Sequence, residues 1–188
     1  DRGFIKIQQK RISSFTITDK ALNDEITQNF NSLIILDKKI FAGNNYGELI
    51  IYDGVYDIKK RSLSTEKNMD GIVRKIIELK DKIYVASQTG SFLLDKKTLN
   101  IVKRFEGRYN ASTKAAFLLN DSVLLLGSHS QATKFNFAAN KVIGSTVKRT
   151  TALGVNRAGE IYIGSNDGLY RWDTDSIFYF GKQYKALR

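Results

Sequence analysis

Side-chain catalysis needs a nucleophile with its base, two carboxylates in one pocket, or ligands that converge on a metal. The chain is sparing in all three. His129, in Gly127-Ser128-His129-Ser130, is the sole histidine. Ligation by two histidines of one chain is therefore excluded, and His129 reads as a turn residue before it reads as a general base. With no cysteine there is no thiol nucleophile, no disulfide framework and no Cys-ligated zinc. Asp53, Asp95 and Asp173 each close a short apolar run. Three carboxylates in one repeated place fit strand-end turns, where they accept backbone N–H groups, better than catalysis. Gly43-Asn44-Asn45-Tyr46-Gly47 and Gly164-Ser165-Asn166-Asp167-Gly168 look like phosphate loops only at first sight. No helix-forming stretch follows them and no Lys-Ser/Thr pair completes the motif. Asp167 and Asp173 lack the spacing of a calcium loop. The expectation is a protein that is not an enzyme and that uses no cofactor and no metal.

Thirty Lys+Arg against nineteen Asp+Glu give a net charge of +11 over 188 residues. Such a field favours anionic partners. The basic residues are nevertheless spread over presumed turns and outer strands, as in Lys38-Lys39, Lys59-Lys60-Arg61 and Lys103-Arg104, so a nucleic-acid partner is disfavoured. The longest apolar runs, such as Val123 to Leu126, fall far short of the roughly 18 residues of a membrane helix, and residues 1–10 lack the apolar centre of a signal peptide. The segment is expected to be soluble.

The elements that would position any site are short strands in a repeating order. Leu33 to Leu36, Ile40 to Gly43, Leu49 to Tyr52 and Ile58 to Leu63 are separated by Asp, Asn and Gly turns, and the same order returns from Val73, from Ala115 and from Ala152. The small residues that end each second strand, Gly43, Ala86, Gly127 and Gly164, recur at intervals of 43, 41 and 37 residues. Four strands per forty residues, with no helical segment between them, predict an all-β fold, a β-propeller of four-stranded antiparallel blades. A sandwich of irregular strands competes, but it does not require recurring turn residues. Continuous apolar runs fit inner strands covered by blades on both faces, and the mixed, charged fourth strands fit a protected rim. Residues 1–29 read as a partial blade and a connection, with Asp19 to Asn29 as the connection. The blades then span 30–65, 66–108, 109–149 and 150–188. About four blades and a leading fragment fit part of a larger ring, since such rings close at six to eight blades, or about 240 to 340 residues at this period. A four-bladed ring is the alternative. Missing blades or another chain would cover the open edges.

In a propeller, the turns between second and third strands and the links between blades emerge on one face. This gathers Tyr46, Gln88, Arg108, Tyr109, His129, Arg149, Asn166 and Asp167 as the candidate binding face for a protein partner or a small-molecule ligand.

The stretch Arg157-Ala158-Gly159-Glu160-Ile161-Tyr162-Ile163-Gly164-Ser165-Asn166-Asp167-Gly168-Leu169-Tyr170-Arg171-Trp172-Asp173 resembles the repeat of two-component-regulator propellers, found in extracytoplasmic sensor regions of hybrid histidine kinases. Asn68-Met69-Asp70-Gly71-Ile72-Val73 resembles the lead of that repeat, and quinoprotein-like and WD-type propellers are looser relatives. Phe41, Tyr84, Leu124 and Tyr162 stand where that family often has tryptophan, and the third unit has Gln131 in place of its second glycine. The resemblance implies a non-enzymatic binding propeller, a fragment of an extracytoplasmic, periplasmic ligand-sensing domain of a signalling receptor. The alternative is a structural propeller that mediates protein–protein contacts in an assembly, which would place it in the cytoplasm.

Overall fold

A computed structural model of the chain describes residues 4–8, 11–15, 18–19, 24–25, 30–52, 58–62, 71–88, 90–105, 113–146, 148–173 and 176–180, and every regular element among them is a β-strand. Two ribbons come first: β1 (Phe4–Gln8) pairs with β2 (Arg11–Phe15), and β3 (Thr18–Asp19) with β4 (Asp24–Glu25). The second ribbon departs from the expectation of a plain connection over Asp19 to Asn29. Its polar residues carry backbone groups that pair locally instead.

Four four-stranded antiparallel sheets follow, each in simple sequence order. Blade one is β5 (Phe30–Leu36), β6 (Lys39–Asn44), β7 (Glu48–Tyr52) and β8 (Ile58–Ser62). Blade two is β9 (Val73–Glu78), β10 (Lys82–Ser87), β11 (Ser91–Asp95) and β12 (Ile101–Phe105). Blade three is β13 (Ala115–Asn120), β14 (Val123–Gly127), β15 (Ala132–Asn136) and β16 (Lys141–Thr146). Blade four is β17 (Ala152–Val155), β18 (Ile161–Ser165), β19 (Gly168–Trp172) and β20 (Ile177–Tyr179). The first strands stand side by side, β5 next to β9, β9 next to β13 and β13 next to β17. This is the propeller arrangement, and the four described blades do not close into a ring.

The core lies between blades, in three layers. Ile83 and Val85 of β10 join Phe41, Leu49 and Ile51 of blade one, whereas Tyr84 and Ala86 join Leu124, Leu126 and Phe135 of blade three. Leu125 turns the other way, to Ile161, Ile163, Tyr170 and Trp172 of blade four. Alternate side chains thus enter different cores, which is why the second strands read as unbroken apolar runs.

The first strands depart from that expectation. β5 alternates half-buried and exposed, with Leu33 and Ile35 at 51% and 66% exposure. β5 belongs to the first described four-stranded blade, so one of its faces has no described blade against it, whereas β9 sends Ile76 and Ile77 to the cores on its two sides.

Blades lock together at the small residues that mark the repeat. A Cβ on Gly43 would lie 2.1 Å from Cγ1 of Val73 in the next blade, and one on Gly127 would lie 2.4 Å from Cγ2 of Thr150. Val73, Thr113 and Thr150 are all fully buried. A β-branched wedge at the start of one blade thus fills a glycine socket in the blade before it. Hydrogen bonds reinforce the seams: Ile76 N–H donates to Ser32 Oγ (3.0 Å), and Thr150 N–H donates to the Ser128 carbonyl (2.8 Å).

Candidate ligand-binding cleft

The residue directly after each wedge is brought to one place. In blade two the pairing runs Ser87 with Val73 and then Ala86 with Lys75, leaving Arg74 as the extra residue of a β-bulge. In blade one it runs Asn44 with Phe30 and then Gly43 with Ser32, leaving Asn31 in the same position. A bulge re-aims the side chain it leaves unpaired. Lys114 and Thr151 hold the corresponding places in blades three and four, following Thr113 and Thr150, with their N–H groups donating to the carbonyls of Gly127 (2.7 Å) and Gly164 (2.8 Å).

Asn31, Arg74, Lys75, Lys114 and Ala152 line a cleft of about 410 Å³ where the four first strands converge. Antiparallel pairing sets the starts of these strands beside the ends of the second strands, so the cleft opens on the end that carries the second-to-third-strand turns. Those turns are built alike. Asn44 Oδ1 accepts from Tyr46 N–H and Glu48 N–H (both 2.9 Å), Ser87 Oγ donates to the Gly90 carbonyl (2.8 Å), and Ser128 Oγ donates to the Gln131 carbonyl (3.2 Å). One short polar side chain after the socket residue holds each turn rigid.

Among the expected face residues, Tyr46, Gln88, His129, Asn166 and Asp167 occupy these turns and are exposed, and Arg149 is exposed in the link to blade four. Arg108 and Tyr109 lie outside the described residues. None of the others lines the cleft itself. His129 and Arg149 nevertheless share its electrostatic neighbourhood. The Lys114 ammonium first, then partial burial and the Arg149 and Arg74 guanidinium groups, hold the His129 imidazole below its ordinary pKa. At the fourth blade Asp167 accepts from Tyr170 Oη (2.7 Å) and Lys148 Nζ (3.2 Å). Tyr170, Ser165 and Lys148 hold its carboxyl well below the usual carboxylate range.

Of the repeated strand-end residues, Asp95 and Asn136 act as turn residues. Asp95 Oδ1 accepts from Thr98 N–H (2.7 Å) and Lys97 N–H (3.0 Å), and Asn136 Oδ1 does the same for Ala139 N–H (2.8 Å). Asp173 pairs with Arg171 (3.2 Å), and Asp53 lies outside the described residues.

The cleft residues Asn31, Arg74, Lys75 and Lys114 escape a reading of motifs, because basic residues are scattered over the whole chain. The available signal was positional: each follows the buried residue that opens a blade, and its identity changes from blade to blade.

No protein-family model matches the chain, and no curated protein matches it. Solved structures do. The extracellular domain of a protein assigned to a hybrid two component system of B. thetaiotaomicron superposes with a TM-score of 0.73 at 11% identity over 97% of this chain and 26% of that one. The extracellular domain of a protein assigned to a one component system of the same organism gives 0.68 at 15% identity over 81% of this chain and 21% of that one. The WD40 domain of Neurospora crassa Pan2 gives 0.64 at 11% identity over 81% and 49%. The chain thus spans about a quarter or less of the two bacterial sensor chains. At these identities the likeness is one of fold, and it matches the propeller expected from the repeat.

Proposed function

We propose that the chain is part of a non-enzymatic binding propeller, a ligand-sensing segment that takes its ligand at the mouth of the central cleft. One observation carries this reading. The backbone position repeats at Asn31, Arg74, Lys114 and Thr151 while the side chain does not, and the first three line one space, with Thr151 next to the lining residue Ala152. Structural needs are served by what repeats, which leaves the varying position for recognition. The charged groups at the cleft are cations, which suits binding more than the paired acid and base of turnover. The likeness to extracellular sensor domains supports an extracytoplasmic sensing role.

Thermal unfolding of the full chain against neutral saccharides, acidic saccharides and small carboxylates tests the reading. A ligand at a hundred times its Kd stabilises by about 2.7 kcal/mol, or about 5–10 °C for a chain of this size. Ala152→Trp, which fills the cleft and removes no charge, should abolish the shift. An unchanged shift in that variant, or no shift with any compound, would count against the proposal.

A scaffolding role has one observation in its favour. Gly164 corresponds to the sockets at Gly43 and Gly127, yet among the described residues a Cβ there would meet only Ala152 of its own blade, at 3.2 Å. A wedge from a further blade or a partner chain would fit it, and Gly164→Val should then weaken association in sedimentation.

A further inference from the structure

The geometry points to a small ligand with at least two anionic groups, carboxylate, phosphate or sulfate, held between Arg74 of the second blade and Lys114 of the third. This rests on the binding-site reading above and specifies its chemistry. Four cations elsewhere pair with carboxylates, Lys82 with Asp81, Lys96 with Asp37 and Glu78, Lys148 with Asp167, and Arg171 with Glu160 and Asp173; what sets the cleft apart is that Arg74, Lys75 and Lys114, from two blades, line one space. At the cleft no carboxylate among the described residues pairs with Arg74, Lys75, Lys114 or Arg149. Like charges gathered without counter-charge repel one another, and the fold does not require them. Blades one and four place Asn31 and Thr151 at the same backbone position.

The bulge at Arg74 adds a second, independent observation, since it takes this guanidinium out of the pairing register at the cleft. A guanidinium grips a carboxylate, phosphate or sulfate with two parallel N–H donors, and an ammonium supplies a point charge beside it. Two cations on different blades therefore suit a ligand with two anionic ends. Asn31 and Ser32 of blade one also line the cleft and add neutral polar groups. The volume of about 410 Å³ sits at the small end of ligand sites, roughly 300–1,000 Å³. A nucleic-acid strand would instead call for a basic groove lined with aromatic platforms.

The sole histidine makes the test direct, because the His129 ring protons give one resolvable NMR signal beside the site. The full chain is titrated across pH with citrate, sulfate, inorganic phosphate or a neutral disaccharide, at ionic strength held constant with sodium chloride. Citrate is expected to raise the His129 pKa saturably towards 6.5, with weaker effects from sulfate and phosphate, whose charge sits on a single group that cannot reach both cations. Their relative strengths separate a carboxylate ligand from a phosphorylated or sulfated one. Arg74→Gln and Lys114→Gln should each weaken citrate about tenfold, and Arg74→Lys should retain more binding than Arg74→Gln. Circular dichroism confirms that each variant is folded. A His129 pKa unmoved by citrate, or moved without saturation and equally in the variants, overturns the proposal. Disaccharide binding that is blocked by Ala152→Trp but indifferent to Lys114→Gln overturns it too while leaving the binding-site reading intact. Silence from every probe overturns both.

Discussion

Gly43→Ala is the sharpest test of how blades are held together. The added methyl would lie 2.1 Å from Val73 Cγ1 and 2.6 Å from Val73 Cβ, both far inside van der Waals contact. Overpacking of this kind costs about 1–3 kcal/mol, against a gain of about 0.5–1 kcal/mol from replacing glycine within a strand. The net loss should be about 1–2 kcal/mol, read as a fall in Tm of about 2–8 °C for a chain of this length. Urea unfolding monitored by far-UV circular dichroism measures it. Gly154→Ala is the internal control, since a Cβ there meets nothing within 4 Å, and it should be no less stable than the parent. The rescue experiment distinguishes a steric cause from a general one. Val73→Ala removes the 2.1 Å contact but keeps the Cβ at 2.6 Å, so it should rescue only in part. Val73→Gly removes both, and its cycle with Gly43→Ala should show a favourable coupling of about 0.5–3 kcal/mol. Additivity within about 0.5 kcal/mol, or a Gly43→Ala variant as stable as Gly154→Ala, would refute the wedge-and-socket account.

Tyr84 is fully buried, and its Oη, although turned towards Ser91, has no hydrogen-bond partner among the described residues; burial pushes its pKa up. Tyr84→Phe removes the cost of that unpaired group, so equilibrium unfolding should find it as stable as the parent or more stable by up to about 1 kcal/mol. The pKa of folded His129 lies below 6.5, so the unfolded chain takes up a proton first as pH falls. Stability should therefore decline as pH drops from 6.5 towards the depressed value, and His129→Gln should flatten that part of the profile in urea midpoints. Asp167 has a folded pKa below 3.8, so its contribution is present above pH 3.8 and is lost as pH falls through the lower folded value. Asp167→Asn should make stability less dependent on pH in that acid range, as thermal melts at stepped pH would show.

The middle strands were the most readable part of the chain. Ile83 to Ala86 and Val123 to Gly127 sit between two apolar cores, and a strand covered on both faces leaves a continuous run in the sequence. The first strands were harder to read, because Leu33 and Ile35 look like core residues and are exposed. The spacing of Gly43, Ala86, Gly127 and Gly164 marked the repeat. It could not show that Val73 and Thr150 press into the glycines, because that contact joins residues of different blades. The site was least visible. Arg74 matters because a bulge lifts it out of register, and pairing register is a property of two strands together. The order of strands alone puts His129 and Arg149 at the end that carries the second-to-third-strand turns, but their link to Lys114 and Arg74 depended on residues that no motif distinguishes.

Val73 and Arg74 are consecutive, one buried between blades in the space that the absent Cβ of Gly43 leaves and the other lining the cleft. A pull on the guanidinium would reach, one residue away, a side chain seated in its neighbour's glycine socket. Lys114 follows buried Thr113 in the same way on the neighbouring blade. A ligand drawing these two cations together would act on the roots of two stiff levers, and a small displacement at the axis would be enlarged at their outer edges. If the cleft takes a ligand, the adjacency of Val73 and Arg74 would let occupancy near the axis be felt at the blade seam.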